Sequence, residues 1–477
     1  VSLKQISRKE KGECGSCPAR ESWHSRPVEE PPIVRHDPYA ALRHAGFRNY
    51  LIGGFAANLG RQMATVAVAW QIYQWTHSAT ALGLVGLINV LPLLVLSLPA
   101  GVLADRLDRK WIIAASSVGI AILSILLALV THFGVPTSPF LESANQWLAA
   151  FARAFEQHAG NRAMTFDQPA LPVIYLLLFL MAILRILGWP SRSAIIPLLV
   201  PAKSLSNAVT WNSSAFEIST MAGPALGGFL LAWVGFPAVY VLDAVFGVLL
   251  AGLISQVRYA TPPVPASPDS RTLRGVLAGV VFIWNKKAIL AASSLDLFAV
   301  LLGGAVALLP IYAAEILHVG PIGLGWLRAA PSIGAFSMAL WLAHRRPLQR
   351  PGVTLLWAVA GFGVAIITFG LSPWVWLSLI ALFFTGVFDN VSVVVRQSLV
   401  QLLTPDSLRG RVTAVNQIFI GSSNEIGTMR AGLMAAAIGP VPAVVIGGMG
   451  TIAVVLGIAR FLPQLRTTPA LDKLKAD

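Results

Sequence analysis

The chain has 477 residues, of which 56% are hydrophobic and only 12% charged, and its mean hydropathy is +0.70. A soluble fold of this length is excluded, because soluble domains need about a quarter of charged residues to cover their surface; disorder and a disulfide scaffold fall with the apolar content and the two cysteines. The net charge of +14 does not indicate nucleic acid, since nine Lys and Arg precede the first apolar stretch and most others lie in alternate loops, the pattern that sets topology against an anionic leaflet.

Twelve windows of about 20 apolar residues predict transmembrane helices, over 49–75, 81–104, 110–130, 172–198, 207–233, 238–257, 287–315, 321–343, 352–371, 374–397, 411–436 and 441–462. The expected fold is all-α, a polytopic membrane protein with its twelve helices in two six-helix bundles. The domains read as a polar cytoplasmic tail (1–47), a first bundle (48–257) with a periplasmic insertion at 131–171, a cytoplasmic linker (258–286), a second bundle (287–463) and a cytoplasmic tail (464–477). Placing both termini in the cytoplasm leaves only Arg153 and Arg162 in outward loops. The chain is therefore read as multi-pass in the cell's inner, or plasma, membrane, with the lipid bilayer as its surroundings.

In the first bundle, span 1 carries a polar stripe of Asn58, Arg61, Gln62 and Thr65 at helical spacing. The loop between spans 2 and 3 runs from Gly101 through Asp105 and Arg106 to Asp108, Arg109 and Lys110. A carboxylate among cations at a helix end can cap a neighbouring helix and latch two bundles in one conformation; the basic residues alone would equally enforce topology. The insertion predicts a surface helix capped by Ser143, with Trp147, Leu148, Phe151 and Phe155 on one face. Arg185, Trp189 and Arg192 share a face of span 4. Glu217 lies at mid-depth on span 5, before Gly223, Pro224, Gly227 and Gly228, a close-packing and kinking segment. Asp243 follows on span 6.

The linker is proline-rich at 259–270, and 271–286 predicts a short basic amphipathic helix on the inner surface. The second bundle then places Asp296 on span 7, Arg328 on span 8, Asp389 and Arg396 on span 10, and Glu425 and Arg430 on span 11. Arg396 falls at the inner boundary, where it could snorkel. Ionisable residues inside spans are costly and mark pathways, although acids and arginines that pair across helices can also simply hold a bundle. Glu217, Asp296, Asp389, Glu425 and Asp243 are the proton-coupling candidates, in that order; Asn58, Arg61, Gln62, Arg185 and Trp189 are the cavity candidates.

The halves echo each other. Leu82-Gly83-Leu84 matches Ile322-Gly323-Leu324, and Leu198-Leu199-Val200-Pro201 matches Leu402-Leu403-Thr404-Pro405, with the change in offset falling where the first half has its insertion. Such parallel repeats are an architecture of secondary transporters. Gly101 to Lys110 resembles the G-x-x-x-D-R-x-G-R-R/K signature of the major facilitator superfamily, with Asp108 in place of the second Gly. A turn lacking that glycine must form without its freedom at φ > 0. Ser219 to Gly228 resembles the G-x-x-x-G-P-x-x-G-G antiporter signature of the superfamily, with Ser219 for the first Gly. Phe47-Arg48-Asn49-Tyr50, Ala67 to Tyr73, Thr404-Pro405-Asp406 and Arg409-Gly410-Arg411-Val412 resemble the branch of enterobactin and macrolide exporters. The resemblance implies a secondary transporter that alternates access, exporting amphipathic small molecules of drug or siderophore class by proton antiport, acting as a monomer. Uptake or facilitated diffusion of a metabolite, and a non-transporting scaffold or sensor, remain open. No Walker loop or catalytic triad stands out, so no enzyme is expected; Cys14 and Cys17 lack the two further ligands that zinc needs, and neither metal nor cofactor is expected.

Overall fold

Six helices precede and six follow the linker as long spans. They were described in a computed structural model over residues 37–156, 165–259, 273–345 and 349–466, leaving aside the side chains at 105, 273–277, 279, 406, 407, 409, 410 and 414. The polar tails, most of the proline-rich linker and residues 157–164 of the insertion lie outside the described residues. The spans are α1 (Ala45–Thr76), α2 (Ala79–Arg106), α3 (Arg109–Phe133), α5 (Ala170–Leu199), α6 (Leu205–Trp233) and α7 (Phe236–Ser255), then α9 (Lys287–Gly303), α11 (Gly320–Ala343), α12 (Pro351–Leu371), α13 (Val375–Leu403), α14 (Asp406–Ile438) and α15 (Pro440–Phe461). Two shorter helices fall between the spans in sequence, α4 (Pro139–Phe155) within the insertion and α8 (Leu273–Asn285) after the linker. No strand occurs among the described residues.

Nine helical segments among the described residues are long and apolar enough to cross a membrane. The spans that fall short are α1, α11 and α14, and the reason is chemical: they carry Asn58, Arg61 and Gln62, then Arg328, then Asn416, Asn424, Glu425 and Arg430. A spanning helix tolerates such residues only where they face protein or a polar cavity.

Within the first bundle α3 and α1 pack on α7, α1 on α6, and α2 and α3 on α5; within the second α11 and α12 pack on α13, α12 on α15, and α14 and α15 on α9. The bundles meet along two seams, α2 against α14 and α6 against α11. Small residues close both. A Cβ on Gly83 would stand 3.1 Å from the Cα of Gly432, and one on Gly228 would stand 3.1 Å from the Cα of Gly325. These approaches run from mid-membrane toward the end that carries the insertion. The opposite end, which carries Arg106, Arg109 and Lys110, is called the basic end below.

Two local expectations are corrected, and the turn at Asp108 forms without a left-handed residue, as the missing glycine requires. Span 7 is not one helix: α9 ends at Gly303 and the chain continues as a 3-10 turn (Ala305–Leu308), a single α turn, α10 (Leu309–Ile311), and a π turn (Tyr312–Ile316). The insertion helix is capped by Ser138, whose Oγ accepts from the Leu141 N–H at 3.3 Å, while Ser143 sits inside the helix and donates to the Pro139 carbonyl at 2.8 Å. Asp108 needs no left-handed geometry: it has φ −62° and caps α3, accepting from the Lys110 N–H at 3.1 Å. An extended N-cap residue suits Asp as well as any side chain.

Candidate functional site

The mid-membrane centre gathers charge from both bundles. Glu425 on α14 lies within electrostatic reach of Asn89 on α2, Arg185 on α5 and Arg328 on α11. Two of these partners come from each side of the seam, counting Glu425 itself. On the first bundle's side, Arg61 donates to Asn58 Oδ1 at 2.5 Å and lies within electrostatic reach of Arg185, Arg192 and Asp243. Asp243 is buried and accepts from Ser124 Oγ at 2.6 Å. Gly60 permits this: a Cβ there would stand 3.0 Å from Asp243 Oδ1. Arg192 donates to Ser117 Oγ at 3.3 Å. Four guanidinium groups thus share this region with two carboxylates, a surplus of positive charge in a low-dielectric setting where each charge acts strongly.

A second cluster lies wholly inside the second bundle. Arg396 pairs with Asp296 at 3.2 Å, with 2% and 8% of the two side chains exposed, and donates to Asn416 Oδ1 at 3.1 Å. Asp389 lies within electrostatic reach of both members of the pair. Arg396 therefore does not snorkel to the boundary. Its span, α13, continues to Leu403, which sets Arg396 deeper in the bundle than the shorter predicted span did, and Asp296 holds it there.

Glu217 is half-buried on α6, and among the described residues its carboxylate makes no ion pair or hydrogen bond. The segment beyond it packs on two sides. Gly223 fits against Gln62 and the Leu59 carbonyl of α1, Gly227 fits against Met63, and Gly228 faces α11 of the other bundle. Ser219 donates to the Phe55 carbonyl at 3.2 Å. Pro224 lies inside the helix, so the motif combines a missing N–H with close approach on both faces. Trp189 is 54% exposed, unlike its face-mates Arg185 and Arg192.

At the basic end, Arg109 donates to the Ala194 carbonyl at 3.2 Å and Lys110 Nζ to the Val257 carbonyl at 3.4 Å. Asp108 also accepts from the Tyr259 hydroxyl. These contacts bind the loop to its own bundle. The Asp105 side chain lies outside the described residues; Gly101 and Arg106 end α2 beside it.

Several groups that matter here escaped sequence reasoning. Asn89 was legible as a single polar residue in the apolar run of span 2. In sequence Arg430 is only one more intramembrane base, yet its Nε donates to the Leu301 carbonyl at 2.8 Å and its guanidinium also reaches the Leu302 carbonyl. It thereby satisfies acceptors freed where α9 breaks. At the insertion end, Glu156 accepts from Ser78 Oγ at 2.7 Å and from the Ala79 N–H at 2.9 Å, capping α2. The α4 helix packs on α2 and α5 and also touches α14. Burial raises the Glu156 carboxyl above the usual glutamate range, against the donors at Ser78 and Ala79. No group of three His, Cys, Asp or Glu able to hold a metal ion occurs among the described residues.

The family model described as Major Facilitator Superfamily matches residues 50–428. The enterobactin exporter EntS of Citrobacter koseri is 28% identical over 428 residues, 89% of this chain and 93% of that relative. Among solved structures, a bacterial homologue of the human lysosomal transporter Spinster superposes with a TM-score of 0.61 at 18% identity, covering 91% of this chain and 98% of that one. The xylose transporter XylE of E. coli does so with a TM-score of 0.61 at 14% identity, covering 87% and 96%. These structural likenesses speak to the fold.

Proposed function

This chain belongs to the Major Facilitator Superfamily, a membrane transporter rather than an enzyme, and from that premise we propose that it is a proton-coupled exporter of amphipathic small molecules. The observation that carries the reading is Glu425, a carboxylate in the seam with Arg185 and Asn89 from one bundle and Arg328 from its own. Rocking the bundles changes such a set of partners. A carboxylate that loses a cation in a dry site takes up a proton, and one that regains the cation releases it. Glu425 is thus our first coupling group, with Glu217, free of ionic partners among the described residues, as the second. Asp243, Asp296 and Asp389 hold their bundles.

The cationic surplus around Arg61, Arg185 and Arg328 favours a substrate that brings negative charge together with apolar surface. Asn58, Gln62 and Trp189 border the same route. Siderophores have this chemistry, and the similarity to enterobactin exporters agrees with it. The basic end faces the cytoplasm, both termini lie there, and the protein works as a monomer in a bacterial inner membrane. The seams close from mid-membrane to the insertion end, the geometry of an inward-open state. In the opposite state Gly101, Asp105, Arg106, Arg109 and Lys110 act as the latch, while the Gly223–Gly228 segment lets α6 shift against α1 and α11.

Flux in proteoliposomes tests this. With the lumen acidified, a catecholate or hydroxamate substrate added outside should accumulate inside through molecules oriented with the basic end outward, and collapse of the gradient should stop it. Equal flux with and without the gradient would refute proton coupling, and no flux with a broad panel of anionic amphiphiles would refute the substrate class.

A further inference from the structure

The lipid-facing side of the second bundle carries a groove that the central site does not use. It runs between α11, α12 and α13 with a volume of about 710 Å³, and its floor follows α12 from Thr354 to Thr368, a rise of about 21 Å. That exceeds the ~15 Å of hydrocarbon in one leaflet, so an acyl chain can lie in it lengthwise. The lining is aliphatic and aromatic. Its two threonine hydroxyls are already spent, Thr354 donating to the Arg350 carbonyl at 3.0 Å and Thr368 to the Val364 carbonyl at 2.9 Å. The interior therefore selects hydrocarbon.

The mouth at the basic end selects charge. The Arg345 guanidinium stands 4.6 Å from the ring centroid of Trp341, itself a lining residue. Arg350 adjoins the groove through its carbonyl bond from Thr354. Both arginines are exposed. The whole stretch from Leu317 to Phe388, which supplies α11, α12, their connection and most of the α13 lining, contains no Asp or Glu. Exposed Trp357 lies near the same end, where tryptophan suits headgroup depth. We infer that this groove binds one anionic phospholipid, its acyl chain along α12 and its phosphate between Arg345 and Arg350. A zwitterionic lipid supplies the same chain but a compensated headgroup, and free phosphate supplies no chain.

The test is native mass spectrometry of the purified protein in detergent, titrated separately with phosphatidylglycerol, phosphatidylcholine and inorganic phosphate. One phosphatidylglycerol should be retained saturably and more tightly than phosphatidylcholine, and phosphate alone should not be retained. Removing the pair, R345Q with R350Q, should bring phosphatidylglycerol down to the phosphatidylcholine level, at about fivefold per arginine. R460Q removes an exposed cation near the basic end of α15 and should leave the preference intact. V364W, which fills the groove, should release both lipids; each variant is compared at matched elution volume and helical content. Equal retention of the two lipids by the wild type would overturn the inference. So would an R460Q loss as large as that of the pair, lipid retained by V364W, or phosphate retained alone. None of these outcomes depends on transport, so its failure and the failure of the exporter reading are separable.

Discussion

Two carboxylates with arginine neighbours, Asp296 and Glu425, look alike in sequence and differ in whose helices surround them. Asp296 is tied to Arg396, which in turn donates to Asn416, so the whole set lies on α9, α13 and α14 of one bundle. Glu425 draws on Asn89 and Arg185 from the first bundle and on Arg328 from the second. Rigid-body motion of two bundles leaves the first set unchanged and must rearrange the other. On the proposed reading, charge buried within a bundle is architecture, and charge shared across a seam is available for work. Burial depth alone does not distinguish them.

That contrast can be broken by mutation, beginning with its most costly arm. Arg396→Gln strands the Asp296 charge in the bundle, so it should lower stability by about 3–5 kcal/mol, read as a lower unfolding midpoint in detergent. Adding Asp296→Asn should recover most of that loss, because the pair then becomes neutral together. A single mutant as stable as the wild type would show that the cluster is hydrated and place Asp296 back among the coupling groups.

A smaller effect is expected where a cation serves backbone rather than carboxylate. Arg430→Gln should cost about 1–3 kcal/mol by leaving a carbonyl at the α9 break unsatisfied. Arg430→Lys should recover only part, since an ammonium lacks the planar fork that reaches both Leu301 and Leu302. Hydrogen exchange confined to 300–316 would locate the damage; uniform loosening of both bundles would contradict a local role.

The smallest effect belongs to the insertion. Because burial holds Glu156 above its ordinary range, the docked state keeps that proton more tightly than an undocked one. Docking of α4 should be firmest below the usual glutamate range and should loosen as pH rises through the raised value. A spin label at Ala150→Cys should become more mobile over that rise, and Glu156→Gln should flatten the response while costing about 1 kcal/mol or less. Mobility that falls with rising pH would reverse the sign and the argument.

What the sequence made legible follows from what hydropathy measures. Apolar runs end where the spans end, so the helix ends of α3, α12 and α15 fall within a few residues of the apolar windows. The break after Gly303 left no trace in hydropathy, since Leu301 to Ile311 is uniformly apolar and only the Gly303-Gly304 pair and Pro310 mark it. The five intramembrane acids were visible, but their partners were not. Arg396 to Asp296 spans the bundle, and Asn89 to Glu425 spans the seam; no periodicity links residues so far apart. The N-cap at Ser138 was missed for a simpler reason: Pro139 is an admissible first helical residue, and starting the helix at Ser143 ignored it.

The account stands on Glu425, and proton release measures it directly. Purified protein in weakly buffered detergent should release protons when a transported anionic substrate is added. Glu425→Gln should release measurably fewer while still binding that substrate, and Glu217→Gln should keep most of the signal. An unchanged proton count in Glu425→Gln, with binding intact, would contradict the claim that the seam carboxylate carries the coupling proton.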